Sequence, residues 1–311
     1  MMASQADVVL DDPSVISRLD RSDMLGHIRR LPEQVADAWR IGTSVKLPPA
    51  YSAVDSIVTF GMGGSAIGAD LARTVLEPSL HVPMLTIRDY TCPAYVGRRT
   101  LVIAASYSGE TEETISALAQ ARDRGARCLV VSTGGTITRM ARDAGMPILH
   151  FDYASQPRAA VGYSTMLPIA AICSLGLSPT TDSDVEEATD LLSDLGSSLG
   201  PERPFVENEA KQLAAHLAGR NAVFYAGALA EVARRWKGQL NENSKHWAFH
   251  EPLPEMNHNA VVAFEDPAGL NDRVAVVMLV SALDHPRTLV RFRALGDLMS
   301  AHGISWRKAA A

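Results

Sequence analysis

An α/β fold of two parallel-sheet units, each a sheet flanked by helices in three layers, is predicted by three observations. Short apolar runs alternate with helical patterns along most of the 311-residue chain. Those runs are apolar throughout instead of alternating, as strands buried on both faces are. The rhythm then restarts after a polar segment in the middle of the chain, and a chain of this length has a prior of about two domains.

The elements follow in order. A polar helical lead-in covers 14–39. Strands at 56–60, 83–87, 101–105, 127–131 and 147–151 alternate with helices at 65–76, 110–122 and 136–142, which is a βαβ rhythm with ligands expected at the carboxyl ends of the strands. A helix at 161–175 leads to LSPTTDSDVEE, 177–187, whose Pro, Ser, Thr and Asp density reads as a linker and helix cap. The boundary is placed there, with one unit over 1–178 and the other over 179–311. The second unit has helices at 185–199, 206–217, 229–243 and 286–302 and strands at 222–226, 261–264 and 274–280. A further strand begins at Ile304.

Composition narrows the function classes. With 47% hydrophobic and 21% charged residues the chain is an ordinary globular one, and its net charge of −6 offers no basic field for nucleic acid or an anionic membrane. No run approaches the roughly 18 apolar residues that span a bilayer. The first residues, MMASQADVVLDDPS, are acidic where a secretory signal would be basic and then apolar, so a cytoplasmic protein is expected. Cys92, Cys128 and Cys173 are scattered and read as buried spectators, neither a disulfide frame nor a zinc site.

The most informative stretch is LVIAASYSGETEET, 101–114. An apolar strand delivers Ser106, Ser108 and Thr111 to the start of a helix, where unpaired N–H groups and the helix dipole favour an anion. A glycine loop, Gly61-Met62-Gly63-Gly64-Ser65-Ala66, lies after an earlier strand. Gly61, Gly63 and Ala66 also satisfy a dinucleotide fingerprint, with Asp89 where a ribose-binding acid is expected. A dinucleotide fold has no need of the second hydroxyl-rich turn, however, whereas two such loops at neighbouring strand ends can close on one phosphate. Each serine taken singly would read as a helix cap or an ordinary turn.

With both loops read, SYSGETEET resembles the signature of the sugar isomerase (SIS) domain. The loop GMGGSAIGADL, with QPRAAVGY (156–163), RWK (235–237), NENSK (241–245) and PEMNHN (254–259), resembles the bifunctional phosphoglucose/phosphomannose isomerase family over about 200 residues. That resemblance implies two SIS subdomains per chain, a homodimer, and interconversion of glucose 6-phosphate and mannose 6-phosphate with fructose 6-phosphate.

The reaction moves a proton between C1 and C2 through an enediolate, so it needs a carboxylate base, a cation near the developing oxyanion and a ring-opening acid/base. It needs no redox cofactor and no metal. Glu242 ends a helix whose apolar stripe is Leu229, Val232, Trp236 and Leu240, and it points away from that stripe. The resemblance makes Glu242 the base, Arg158 the group that stabilises the enediolate, and His258 the ring-opening residue, reaching the neighbouring subunit's site. Gly64, Ser65, Ser106, Ser108 and Thr111 would hold the phosphate.

His246, His250 and His258 are not spaced as a metal cluster on a helix. The family continues beyond the point matched by the last residue here, with a helix and a lysine that joins in ring opening. A shortened second unit is therefore expected, and Lys308 is not given that lysine's role. Two rival readings are a SIS-fold sugar-phosphate binding protein without turnover and a nicotinamide-dependent dehydrogenase.

Overall fold

The computed structural model describes residues 10–267 and 269–310. They fall into two compact units, Arg18–Ser198 and the residues from Leu199 onward together with 10–17. The helical lead-in is three helices, Pro13–Leu19, Met24–Arg29 and α1 (Leu31–Ser44). Asp23, at a left-handed φ of 52°, and the proline at the start of α1 break it into pieces.

In the first unit, β1 (Ser56–Phe60), β2 (Met84–Ile87), β3 (Thr100–Ala105), β4 (Arg127–Ser132) and β5 (Ile148–His150) form one sheet of order β2-β1-β3-β4-β5. Every pairing is parallel. The helices are α2 (Gly63–Leu76), α3 (Glu112–Asp123), α4 (Gly135–Asp143), α5 (Val161–Ser174) and α6 (Asp182–Ser198). Successive strand residues bury opposite ways. Ile57, Leu101, Ile103 and Leu129 pack with Trp39 and Leu167, while Val58, Phe60, Val102 and Ala104 pack with Leu118 and Ile137. This two-sided burial explains the unbroken apolar runs.

Helix α6 lies beyond the boundary read at 178/179, yet it groups with the first unit. Trp39 Nε1 donates to Asp182 Oδ1 at 2.6 Å, and Val185 joins the same core as Trp39. The polar stretch before it is a capped turn between packed helices, with Thr181 N donating to Asp184 Oδ2 at 2.7 Å.

The second unit comprises α7 (Glu209–Leu217), β6 (Asn221–Ala226), α8 (Ala230–Gln239), β7 (Ala248–Pro252), β8 (Val274–Val280), α9 (Pro286–Ala301) and β9 (Ser305–Ala310). Its sheet is parallel, of order β7-β6-β8-β9. The strand expected at 261–264 is instead a 3-10 turn, Ala260–Phe264, with Phe264 buried and Val262 exposed. The strand that pairs with β6 is β7, an edge strand whose residues are mostly polar or exposed and so leave no apolar run to read. The strand starting near Ile304 is β9, paired with β8 from Ala275↔Ser305 to Val280↔Ala310, which sets the exposed Lys308 opposite Met278.

Cys92 and Cys128 are buried and Cys173 half-buried. Burial pushes all three thiols up, Cys128 to about 12, which suits spectators. Among the described residues no helix is long and apolar enough to cross a membrane.

Candidate active site

The chain runs from β1 to β2 on one side and then crosses to β3 on the other, so β1 and β3 flank the point where the strand order reverses. Ligands of open α/β sheets bind outside the carboxyl ends of the strands at such a point. The pairing Phe60↔Ala104 sets the glycine loop beside the start of the hydroxyl-rich turn. A Cβ on Gly61 would come within 3.1 Å of Ala105 O, so a larger residue would crowd the two loops apart. The two sequence-predicted loops are therefore neighbours.

Ser65 is not a helix cap: it lies within the first turn of α2, whose capping residue Met62 makes no side-chain bond. Ser65 is buried and Ser106 is only 1% exposed, while Ser108 is exposed. Ser106 Oγ accepts from Gly109 N at 3.0 Å and shares a 2.9 Å hydrogen bond with Thr111 Oγ1; Ser108 Oγ accepts from Glu110 N at 3.2 Å. These are the bonds of an ordinary turn. An oxyanion needs donors: in these bonds Ser108 Oγ acts only as an acceptor, and of the Ser106–Thr111 pair one O–H donates to the other while the second is left to donate outward. Thr111 is the cap position of α3 but spends no side-chain bond on the helix N–H groups.

A third loop was missed by sequence reasoning. Gly109, at φ 73°, packs so tightly on the loop after β4 that a Cβ would lie 1.9 Å from Gly134 O. Thr133 Oγ1 donates to Tyr107 O at 2.7 Å, and Glu110 accepts from Thr136 N at 2.8 Å and Thr136 Oγ1 at 2.6 Å. Those bonds hold the Glu110 carboxyl below its ordinary range. The cue in sequence was STGGT, 132–136, a second glycine-rich strand exit.

Arg158 joins this site through its backbone. It lies on a 3-10 turn, Pro157–Ala159, and a Cβ on Gly64 would sit 2.7 Å from Pro157 O and 3.3 Å from Arg158 N. Gly64 is thus needed to let the arginine loop approach the start of α2. Asp89 is engaged locally: its Oδ1 accepts from Tyr90 N at 2.6 Å, a bond of its own turn.

Glu242 and His258 belong to the second unit. The predicted stripe is real: Leu229, Val232, Trp236 and Leu240 pack on the core around Phe224, with Trp236 edge-on to Phe224 at 5.7 Å. After Gln239 the helix widens into a π-helical turn, Leu240–Ser244, that carries the exposed Glu242 at its middle. Such turns are rare and occur frequently at functional sites. Lys245, at φ 57°, ends it, and its Nζ donates to Glu242 O.

Arg235 lies on the same helix. Burial pushes its guanidinium down to about 10, and the Glu242 charge acts in the opposite direction. His258 is exposed on the 3-10 turn Glu255–His258, steadied by Asn259 Nδ2 donating to Glu255 Oε1 at 3.0 Å. His246 donates from Nε2 to Arg220 O, and burial pushes the His250 imidazole down. Among the described residues no group of three His, Cys, Asp or Glu is arranged to hold a metal ion.

A hydroxyl-lined switch point on a parallel sheet, repeated as a second sheet of like topology, defines a SIS-domain protein. Residues 51–175 match the SIS domain, and residues 206–311 match the bacterial phospho-glucose isomerase C-terminal SIS domain. The bifunctional phosphoglucose/phosphomannose isomerase of Caldicellulosiruptor bescii is 38% identical over 278 residues, 89% of this chain and 82% of the relative. That of Aquifex aeolicus is 34% identical over 250 residues, 80% of this chain and 74% of the relative. The chain belongs to the bifunctional phosphoglucose/phosphomannose isomerase family. In fold it resembles the C-terminal domain of glucosamine-fructose-6-phosphate aminotransferase from Francisella tularensis, with a TM-score of 0.68 at 17% identity over 92% of this chain and 83% of that one.

Proposed function

We propose that this chain is an aldose-ketose isomerase that interconverts glucose 6-phosphate, and mannose 6-phosphate, with fructose 6-phosphate. The observation that carries the reading is the pair of neighbouring hydroxyl loops at the β1/β3 switch point, in a chain of this family. Gly64, Ser65, Ser106, Ser108 and Thr111 hold the 6-phosphate. Glu242 takes the proton from C2 of the opened aldose and returns it to C1. Between those steps the enediolate oxygens carry negative charge, which the Arg158 guanidinium stabilises. His258 protonates the ring oxygen as the sugar opens, and in a homodimer it does so at the neighbouring subunit's site.

The proton taken from C2 is returned to C1 and the electron pairs stay within the sugar, so the reaction as written is balanced without a co-reactant. We place the enzyme in the cytoplasm, in glycolysis and gluconeogenesis. A coupled assay on the purified protein tests the assignment. Glu242→Gln is expected to lower kcat by about 10²- to 10⁴-fold, the usual contribution of a general base. Wild-type turnover in that variant would show that Glu242 is not the base. Stabilisation by fructose 6-phosphate with no turnover in the wild type would instead favour a binding protein.

A further inference from the structure

The loop carrying Arg158 is gripped at three points, and one grip comes from the phosphate turn itself. The first is Gly64, whose bare Cα lets the Pro157–Arg158 backbone seat on α2. The second is Gln34, buried on α1: its Nε2 donates to Ala159 O at 3.0 Å and to Tyr153 Oη at 3.0 Å, and its Oε1 accepts from Gly162 N at 3.2 Å. Tyr153 Oη in turn contacts His27 Nδ1 at 2.6 Å.

The third grip is Tyr107, which stands between Ser106 and Ser108. Its ring meets Phe151 edge-on with centroids 6.0 Å apart. Its hydroxyl donates to Tyr153 O, lies 3.0 Å from Ser155 O and accepts from Ser155 N at 2.9 Å. Ser155 is three residues before Arg158 in the chain. Tyr107 O meanwhile accepts from Thr133 N at 3.3 Å and Thr133 Oγ1 at 2.7 Å, so its backbone is tied to the third loop while its side chain is tied to the arginine loop. A residue whose only task was to space two serines would need none of these bonds.

We propose that Tyr107 is a positioning residue that couples the phosphate turn to Arg158. Phosphate on Ser106, Ser108 and Thr111 fixes the turn; the Tyr107 hydroxyl fixes Ser155 relative to that turn; and the segment from Ser155 to Ala159, pinned at its far end by Gln34, then holds the guanidinium in place for the enediolate. Binding energy at the non-reacting end of the sugar is thereby used at the reacting end, where it raises kcat. This inference rests on the role given to Arg158 above.

The test is a kinetic cycle on fructose 6-phosphate isomerisation with Tyr107→Phe, Arg158→Ala and the double variant. Tyr107→Phe keeps the ring and deletes only the hydroxyl; it is expected to lower kcat about 10- to 100-fold, as small misplacements of a catalytic group do, while KM stays within about threefold. The thermal shift produced by inorganic phosphate should persist. On the Arg158→Ala background the Tyr107 change should add less than about twofold, because the group it positions is gone.

Unchanged kcat in Tyr107→Phe beside an impaired Arg158→Ala overturns the coupling, and so do losses that multiply in the double variant. Full turnover in Arg158→Ala is a different result: it removes the role of Arg158 itself, and the coupling with it. Gln34→Met reaches the same loop from its other flank and carries the same expectation. Should Tyr107→Phe fail to fold by circular dichroism, the Gln34→Met cycle decides the question by the same criteria.

Discussion

The β1/β3 and β6/β8 strand ends are the same topological place in two sheets, and they are filled in opposite ways. In the first unit the acid of the turn, Glu110, is exposed and bonds Thr136 N and Oγ1 at the start of α4, so the strand ends keep a group of hydroxyls. In the second unit the acid after β8, Asp284, is 5% exposed and turns inward. Its Oδ1 accepts from Ala228 N at 2.7 Å and its Oδ2 from Ser281 N at 2.9 Å. Gly227 makes the room, since a Cβ there would be 2.1 Å from Asp284 Oδ1.

Loop N–H groups at a strand-to-helix turn need an acceptor, and a ligand anion or a protein carboxylate can supply it. Where the chain supplies its own, the position becomes structural. Like folds with unlike acid placement therefore leave a group of hydroxyls at one switch point and an internally satisfied joint at the other, which is why function has to be argued from the site and not from the fold.

Three experiments sharpen or break this contrast. The largest effect is expected for Asp284→Ala, which strips acceptors from one buried and one half-buried loop N–H group and should cost about 2–6 kcal/mol in urea unfolding, at about 1–3 kcal/mol for each unsatisfied group. KM for fructose 6-phosphate should not move; an unaltered unfolding midpoint would break the internal-anion account. Ser106→Ala should do the reverse. Loss of one hydrogen bond to a charged phosphate is worth about 1.5–3 kcal/mol, so affinity for fructose 6-phosphate should fall by about tenfold or more, while stability falls by only about 1 kcal/mol. Equal affinity in the two proteins would remove Ser106 from the cradle.

The smallest effect is a pH dependence. Glu110 has its carboxyl held below the ordinary 4.5 by the Thr136 bonds, so its contribution to stability is fully present above that value and is lost as pH falls through the lower folded value. Melting temperatures of the wild type and Glu110→Gln should differ slightly at neutral pH and converge as pH falls below 4.5 through the lower folded value. A gap that is constant with pH would mean that the cap does not depend on charge.

Much of this was legible in residues that are neighbours in the chain. Ser106, Ser108 and Thr111 are read together because a buried strand, a turn and a helix start follow one another within a dozen residues. Strand positions were recovered to within one or two residues wherever both faces are buried, as at β1, β3 and β8. The reading failed where burial depends on distant partners. Strand β7 is mixed in polarity, largely exposed and at an edge, whereas Val261 to Phe264 are apolar but fold as a 3-10 turn. The helix expected over 229–243 ends in a π-helical turn that local propensity does not encode.

By itself the sequence determined two parallel-sheet units and two hydroxyl loops in one of them, because apolar periodicity and turn chemistry are local properties. Tertiary structure decided which switch point has its loop N–H groups met by a protein carboxylate and which bonds hold the backbone on either side of Arg158. Asp284 meets Ala228 across 56 positions and Gln34 meets Gly162 across 128, so those bonds exist only once the sheets and helices have brought distant segments to within hydrogen-bond range.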